Sequence, residues 1–178
     1  MTLDSIPFRL FERAAKSPYA PAYYIKEGGR WKPTNWRSYA KQVRTAGKSL
    51  MALGVAAKGS VSILGFNRAE WVIFDLAAMS VGAYASGVYT TCSPEEVQYI
   101  VHHCEASVIL VENADQAAKI AEQRKNMPHL KHVVAMRGED IDGVMSWDDF
   151  MAAGEDVEDA DFDAALAALE PDGLATLI

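Results

Sequence analysis

Apolar residues recur along this chain in two rhythms, and the rhythm changes near Gly59. Before that point helical spacing dominates. Trp36, Tyr39, Val43, Ala46, Leu50 and Leu53 follow three- and four-residue steps. That places them on one face of a helix that Thr34 or Asn35 can cap and Gly54 can stop. A shorter helix opens at Ser5 and Pro7 and is expected to bury Ile6, Leu10, Phe11 and Ala14. Between the two helices, residues 22–27 and 30–33 flank Gly28-Gly29, a pair suited to a tight hairpin turn.

Beyond Gly59 short apolar-rich runs alternate with helical segments. Residues 61–64, 83–88, 108–111 and 132–136 read as buried strands of a parallel sheet. Asn67 with Glu70 resembles a capping box for a helix running through Val81. Ser93, Pro94, Glu95 and Glu96 make a stronger helix start, with a capping hydroxyl, a first-turn proline and acidic groups over the positive helix end. A further helix is expected over 115–125. This β-α-β alternation predicts an α/β fold: a mostly parallel sheet with helices on both faces and right-handed crossovers, plus the N-terminal β-hairpin. After Gly138, residues 146–153 predict a short helix, 154–163 an acidic connector, 164–169 another helix and 174–178 an apolar strand.

Composition narrows the function classes. The 178 residues suffice for one cored domain. A net charge of −7 argues against a nucleic-acid partner, and the 17 basic residues form no dense run. Cys92 and Cys104 are too few for a disulfide framework. No segment offers the roughly 18 uninterrupted apolar residues of a membrane span. Asp4 and Arg9 stand where a signal peptide wants its apolar centre, so a cytoplasmic location is expected.

Four groups of residues invite chemistry. Gly47-Lys48-Ser49 resembles the end of a phosphate-binding loop, but Gln42 replaces the required earlier glycine and the triplet falls inside a helix. Asp159, Asp161, Asp163 and Glu170 match a calcium-loop spacing, yet Ala164 occupies the position that must be glycine, so a solvated acidic face is expected. His102, His103, Cys104 and Cys92 lack a spaced ligand pair. Trp71, Phe74, Leu76 and Met79 read as core, with Asp75 expected to face solvent or pair with a base. The loop Tyr89-Thr90-Thr91-Cys92, following a strand, is the better place for function, although turn and capping chemistry also accounts for Thr91 and Ser93.

Trp36 and Tyr39, the helix ending at Gly54, Gly59 before VSILGFN, Glu70-Trp71, Gly82 and GVYTTCSPEEVQYI together resemble the adenylate-forming superfamily. Within it, GFNRAEW, Tyr89-Thr90-Thr91 and Ser93-Pro94-Glu95 are most similar to long-chain fatty acyl-CoA synthetases of the bubblegum type. The resemblance covers nearly the whole chain and is densest from Gly59 to Asn113. It implies that residues 1–178 are the N-terminal portion of the large adenylation domain of an AMP-forming ligase. Such a ligase takes a fatty acid, ATP, Mg²⁺ and CoA. The family's phosphate loop is expected beyond residues 174–178, and with it and the C-terminal domain absent the chain alone is expected to be inactive and to bind none of these tightly.

The matching residues are signatures of packing and turns. No catalytic, cofactor-binding or metal-binding residue is therefore carried onto this sequence. The competing reading is a non-catalytic α/β binding or interaction module. A flavodoxin-like nucleotide binder is disfavoured because no strand precedes a glycine-rich phosphate turn. The edge at 174–178 further predicts homodimerisation by strand pairing.

Overall fold

A computed structural model of the chain describes residues 4–138 and 141–178. Helix α1 (Ile6–Lys16) is capped by Ser5, whose hydroxyl accepts from the Phe8 N–H at 3.3 Å. It buries Pro7 and Leu10, but Ile6 is 54% exposed, against expectation. The first turn overhangs a groove of about 500 Å³, lined also by Met79, Leu169 and Leu174, instead of facing the core. Strands β1 (Pro21–Glu27) and β2 (Arg30–Asn35) form the antiparallel hairpin. Its turn sets Gly28 at φ 55° and Gly29 at φ 79°, the left-handed pair that a two-residue hairpin turn needs. Helix α2 (Trp36–Ala52) takes its cap from Asn35, which accepts from the Ser38 N–H at 2.8 Å; Thr34 stays in β2, opposite Tyr23.

The main sheet has six strands in the order β7-β6-β5-β3-β4-β8, and every neighbouring pair is parallel. Its centre is β3 (Ser60–Leu64), β4 (Tyr84–Val88), β5 (Val108–Val111) and β6 (His132–Ala135). Every residue of β3 and β5 is buried, as a sheet covered on both faces requires; β5 is apolar throughout, while β3 carries the small Ser60 and Ser62 into the interior. Helices α3 (Ala69–Ser80), α4 (Pro94–His103) and α5 (Ala114–Gln123) make the crossovers. Two apolar cores result: Val43, Leu50, Ile63, Phe74 and Leu110 on one face, and Val97, Val101, Ile109, Ile120 and Val133 on the other.

Ser93 completes a full capping box with Glu96, and Asn113 caps α5. Asn67 caps nothing. The first position of α3 follows Arg68, whose side chain is drawn elsewhere. Two-residue β7 (Met145–Ser146) was not anticipated; it lies beside β6, and Ser146 then caps α6 (Trp147–Ala152). Helix α7 (Asp159–Ala167) starts five residues before the expected 164–169 helix, so the acidic connector is shorter than read. Acidic groups in a first turn favour the helix they open, and Asp159 there and Asp163 a turn further on find cationic partners on α2. Of the strand expected at 174–178, only β8 (Thr176–Leu177) pairs, alongside β4.

Candidate functional site

The connection leaving β3 runs to one side, through α3 to β4, while that leaving β5 runs to the other, through α5 to β6. Adjacent parallel strands whose exits diverge open a crevice at their carboxyl ends, where ligands of such folds bind. Here its walls are the loops at residues 65–68 and 112–113, and the 89–92 loop follows neighbouring β4.

Glu112 is only 3% exposed, yet it carries a carboxylate. It accepts a hydrogen bond from the Phe66 N–H at 3.0 Å and forms a short ion pair with the Arg68 guanidinium. A side chain at Gly65 would press on the Met136 methyl and crowd the Glu112 carboxylate, so glycine lets the loop pass this close without displacing either. These contacts lock the ends of β3, β5 and β6 together. They also explain why Arg68 turns away from the α3 terminus. On the neighbouring loop, the Lys119 ammonium donates to the Thr90 and Cys92 carbonyls at 2.8 and 2.7 Å. The Cys92 N–H donates to the Tyr89 carbonyl, and Ser93 starts α4. The loop singled out from sequence is thus pinned at the crevice, with Tyr89 exposed.

A cleft of about 730 Å³ continues from Arg68 to the hairpin, lined by Tyr23, Trp31, Glu70, Arg137 and Trp147 among others. Below it, the Tyr23 hydroxyl meets Gln42 at 2.9 Å, and its ring stands edge-on to Tyr39 at 5.1 Å. Burial, aided by Tyr23 and Asp75, pushes the Tyr39 phenol up to about 12. Asp75 is half-buried and pairs with no base among the described residues. Its Oδ1 is buried without a partner, and burial raises its carboxyl to about 6. The reason is the helix itself: Ile73, Phe74 and 76–80 are all buried, which leaves Asp75 little outward face.

The other sequence candidates resolve into packing. Gly47-Lys48-Ser49 lies within α2: Gly47 makes room for the Phe162 ring, Lys48 pairs with Asp159 at 3.0 Å, and Ser49 donates to the Thr45 carbonyl. Asp163 pairs with Arg44 at 2.7 Å, so two of the supposed calcium-loop acids fasten α7 to α2. His103 stacks on Tyr99 and His102 on His129. Among the described residues no three His, Cys, Asp or Glu side chains gather as a metal site, and no helix is long and apolar enough to cross a membrane. Sequence reasoning missed Glu112, Arg68 and Lys119. Only a charged residue directly after the apolar run 108–111 hinted at the first.

A parallel sheet wrapped on both faces, with pinned loops at a switch point, defines a doubly wound α/β scaffold. The chain belongs to the AMP-binding enzyme family, whose profile matches residues 10–178. It is 36% identical over 156 residues to the long-chain-fatty-acid–CoA ligase ACSBG2 of Xenopus laevis, covering 86% of this chain and 21% of that protein. To human ACSBG1, also a long-chain-fatty-acid–CoA ligase, it is 33% identical over 157 residues, covering 86% and 22%. The anthranilate–CoA ligase AuaEII, solved with anthranoyl-AMP, superposes with a TM-score of 0.76 at 25% identity, over 85% of this chain and 28% of its own. The N-terminal domain of FACL13 from Mycobacterium tuberculosis shares the fold, with a TM-score of 0.71 at 20% identity, over 88% and 36%. The chain therefore spans about a fifth of the length of these curated relatives.

Proposed function

We propose that this chain forms the N-terminal part of the adenylation domain of an AMP-forming long-chain fatty acid–CoA ligase. The observation that supports this most strongly is the likeness to bubblegum-type ligases along 86% of the chain, on a fold shared with acyl-adenylate enzymes. In the proposed reaction the fatty carboxylate attacks the α-phosphorus of ATP, and pyrophosphate leaves. The CoA thiol then attacks the acyl carbon, its proton is lost, and AMP departs.

The residues present do not fit the nucleotide or its Mg²⁺. The only glycine-lysine-serine triplet spends its amides inside α2, and no carboxylate cluster gathers among the described residues. No step is therefore assigned to a side chain of this chain. Its proposed contribution is a rigid wall: the Glu112–Arg68 pair and the Lys119 clamp hold the crevice loops at fixed spacing. On its own the chain is expected to bind MgATP weakly or not at all.

The test is an assay of the ligase carrying this chain with MgATP, CoA and either a long-chain fatty acid or acetate. Long-chain acyl-CoA and AMP in equal amounts support the proposal. Thioester from acetate alone, or ADP as the nucleotide product, refutes it.

A further inference from the structure

The four histidines of this chain, at 102, 103, 129 and 132, fall on two segments that the fold brings to one corner. His102 and His103 end α4. His129 lies between a single 3-10 turn (Arg124–Asn126) and β6, which His132 opens. The Lys131 and His132 N–H groups both donate to the Ser107 carbonyl, at 2.7 and 3.1 Å. The approach to β6 therefore runs beside the exit from α4, at the amino ends of β5 and β6 and opposite the crevice.

In this corner His102 and His129 form a pair across two segments, with ring centroids 6.1 Å apart and planes 30° apart. Both are exposed, and neither enters an ion pair among the described residues. His103 lies instead on Tyr99, one turn back along its own helix, at 5.6 Å. Successive helix positions project about 100° apart, which turns His103 away from the pair.

The backbone beneath the pair is fixed from both sides. Gln98, one turn before His102, donates its amide to the Asn126 carbonyl at 3.1 Å. Met127 and Leu130 are 1% and 3% exposed, and the Leu130 N–H closes on the Met127 carbonyl at 3.2 Å. The Arg124 guanidinium donates to that same carbonyl at 3.2 Å. Only the two imidazoles are left to order, so a shared ligand meets little entropic cost.

Neutral imidazole is a nitrogen donor suited to Zn²⁺, Ni²⁺ and Cu²⁺, whereas Mg²⁺ and Ca²⁺ prefer oxygen. Each donor nitrogen sits about 2 Å from such an ion, so two rings on one tetrahedral ion have centroids roughly 5 Å apart. Reaching that from 6.1 Å takes about 1 Å of movement, with each ring turned to aim a nitrogen between them. We propose that His102 and His129 chelate one divalent transition-metal ion of the Zn²⁺ class, with water completing its shell. The ion clips α4 to the connector before β6. The inference stands apart from the ligase reading, whose Mg²⁺ this pair does not suit.

The chain, stripped of metal by a chelator, is titrated calorimetrically with Zn²⁺ and separately with Mg²⁺, and its thermal melting is followed. One Zn²⁺ per chain is expected, with no heat from Mg²⁺. At free Zn²⁺ a hundred times Kd, the folding equilibrium should shift about 100-fold toward the native state. Cu²⁺ in the same site should give a paramagnetic resonance spectrum with two nitrogen donors. His102→Ala and His129→Ala should each weaken binding at least about tenfold, the loss that removal of even an outer partner of a metal ligand brings. The double variant should lose no more than either single one, because removing one ring already breaks the chelate. His103→Ala, His132→Ala and Cys104→Ser should bind as the native chain does, and circular dichroism confirms that each variant is folded. Binding that either single variant of the pair retains, or that any of the other three abolishes, overturns the proposal. So does a native chain that takes up no Zn²⁺, which would leave the two rings as a stack only.

Discussion

Replacing Asp75 by asparagine should stabilise this protein at neutral pH and do nothing in acid. The carboxyl sits on α3 with Oδ1 buried and unpartnered, and burial lifts its pKa from 3.8 to about 6. Each tenfold change in proton affinity is worth about 1.4 kcal/mol, so the charged form is disfavoured in the folded chain by at most about 3 kcal/mol. Residual solvent contact reduces the expected effect to about 1–2 kcal/mol. The folded pKa lies above the unfolded one. The favourable contribution of the neutral carboxyl is therefore complete below about pH 4 and is lost as pH rises through about 6. Asparagine, nearly isosteric and never charged, escapes that loss. Urea unfolding of native and Asp75→Asn chains at about pH 7.5 and about pH 4 reads the difference directly. A gain at the higher pH that vanishes at the lower is the expected pattern. Equal gains at both would mean that charge is irrelevant here. Loss of stability at neutral pH would mean that the carboxylate has a partner, and would refute the reasoning.

Three further outcomes follow from the packing. Gly47→Ala should destabilise the native chain by about 1–3 kcal/mol, because its methyl meets the Phe162 ring. In a Phe162→Ala background, itself costing about 3–5 kcal/mol, the same change should become neutral or stabilising, since alanine favours helix; thermal melts of the four variants read the reversal of sign. Glu112→Ala should cost about 2–4 kcal/mol by leaving the Phe66 N–H and Arg68 without their acceptor. Hydrogen exchange should then show the 65–68 loop opening first, and uniform exchange would contradict the latch. The short β8 edge, with Leu177 and Ile178 exposed, should pair between copies at high concentration. Light scattering that shows only monomer would count against it.

Much of the scaffold was visible in the sequence because its causes are local. Gly28-Gly29 can satisfy two positive φ values, Ser93 and Glu96 can close a capping box, and the runs at 61–64 and 108–111 carry no charged residue to face water. The family resemblance was legible for the same reason, since its residues are turns, caps and buried strands. What escaped was non-local. Arg68 abandons a capping position because Glu112, distant in sequence, lies within reach only after β3 and β5 pair. Helix α7 begins early because Asp159 and Asp163 meet Lys48 and Arg44 from the other end of the chain. Asp75 looked like a surface residue because periodicity reports one buried face, whereas α3 is enclosed on nearly every side. Ile6 failed in the opposite sense: it has helical phase with Leu10, but no core lies beneath the first turn.

The proposed chemistry leaves a specific mark on its product. When the ligase carrying this chain is supplied with MgATP, CoA and a long-chain fatty acid labelled with heavy oxygen in its carboxylate, mass spectrometry of the released AMP follows the attacking atom. Attack on the α-phosphorus followed by thiol displacement transfers one labelled oxygen from each acid to the phosphate of AMP. AMP that stays unlabelled while acyl-CoA forms, or label that emerges in inorganic phosphate, would contradict an acyl-adenylate route.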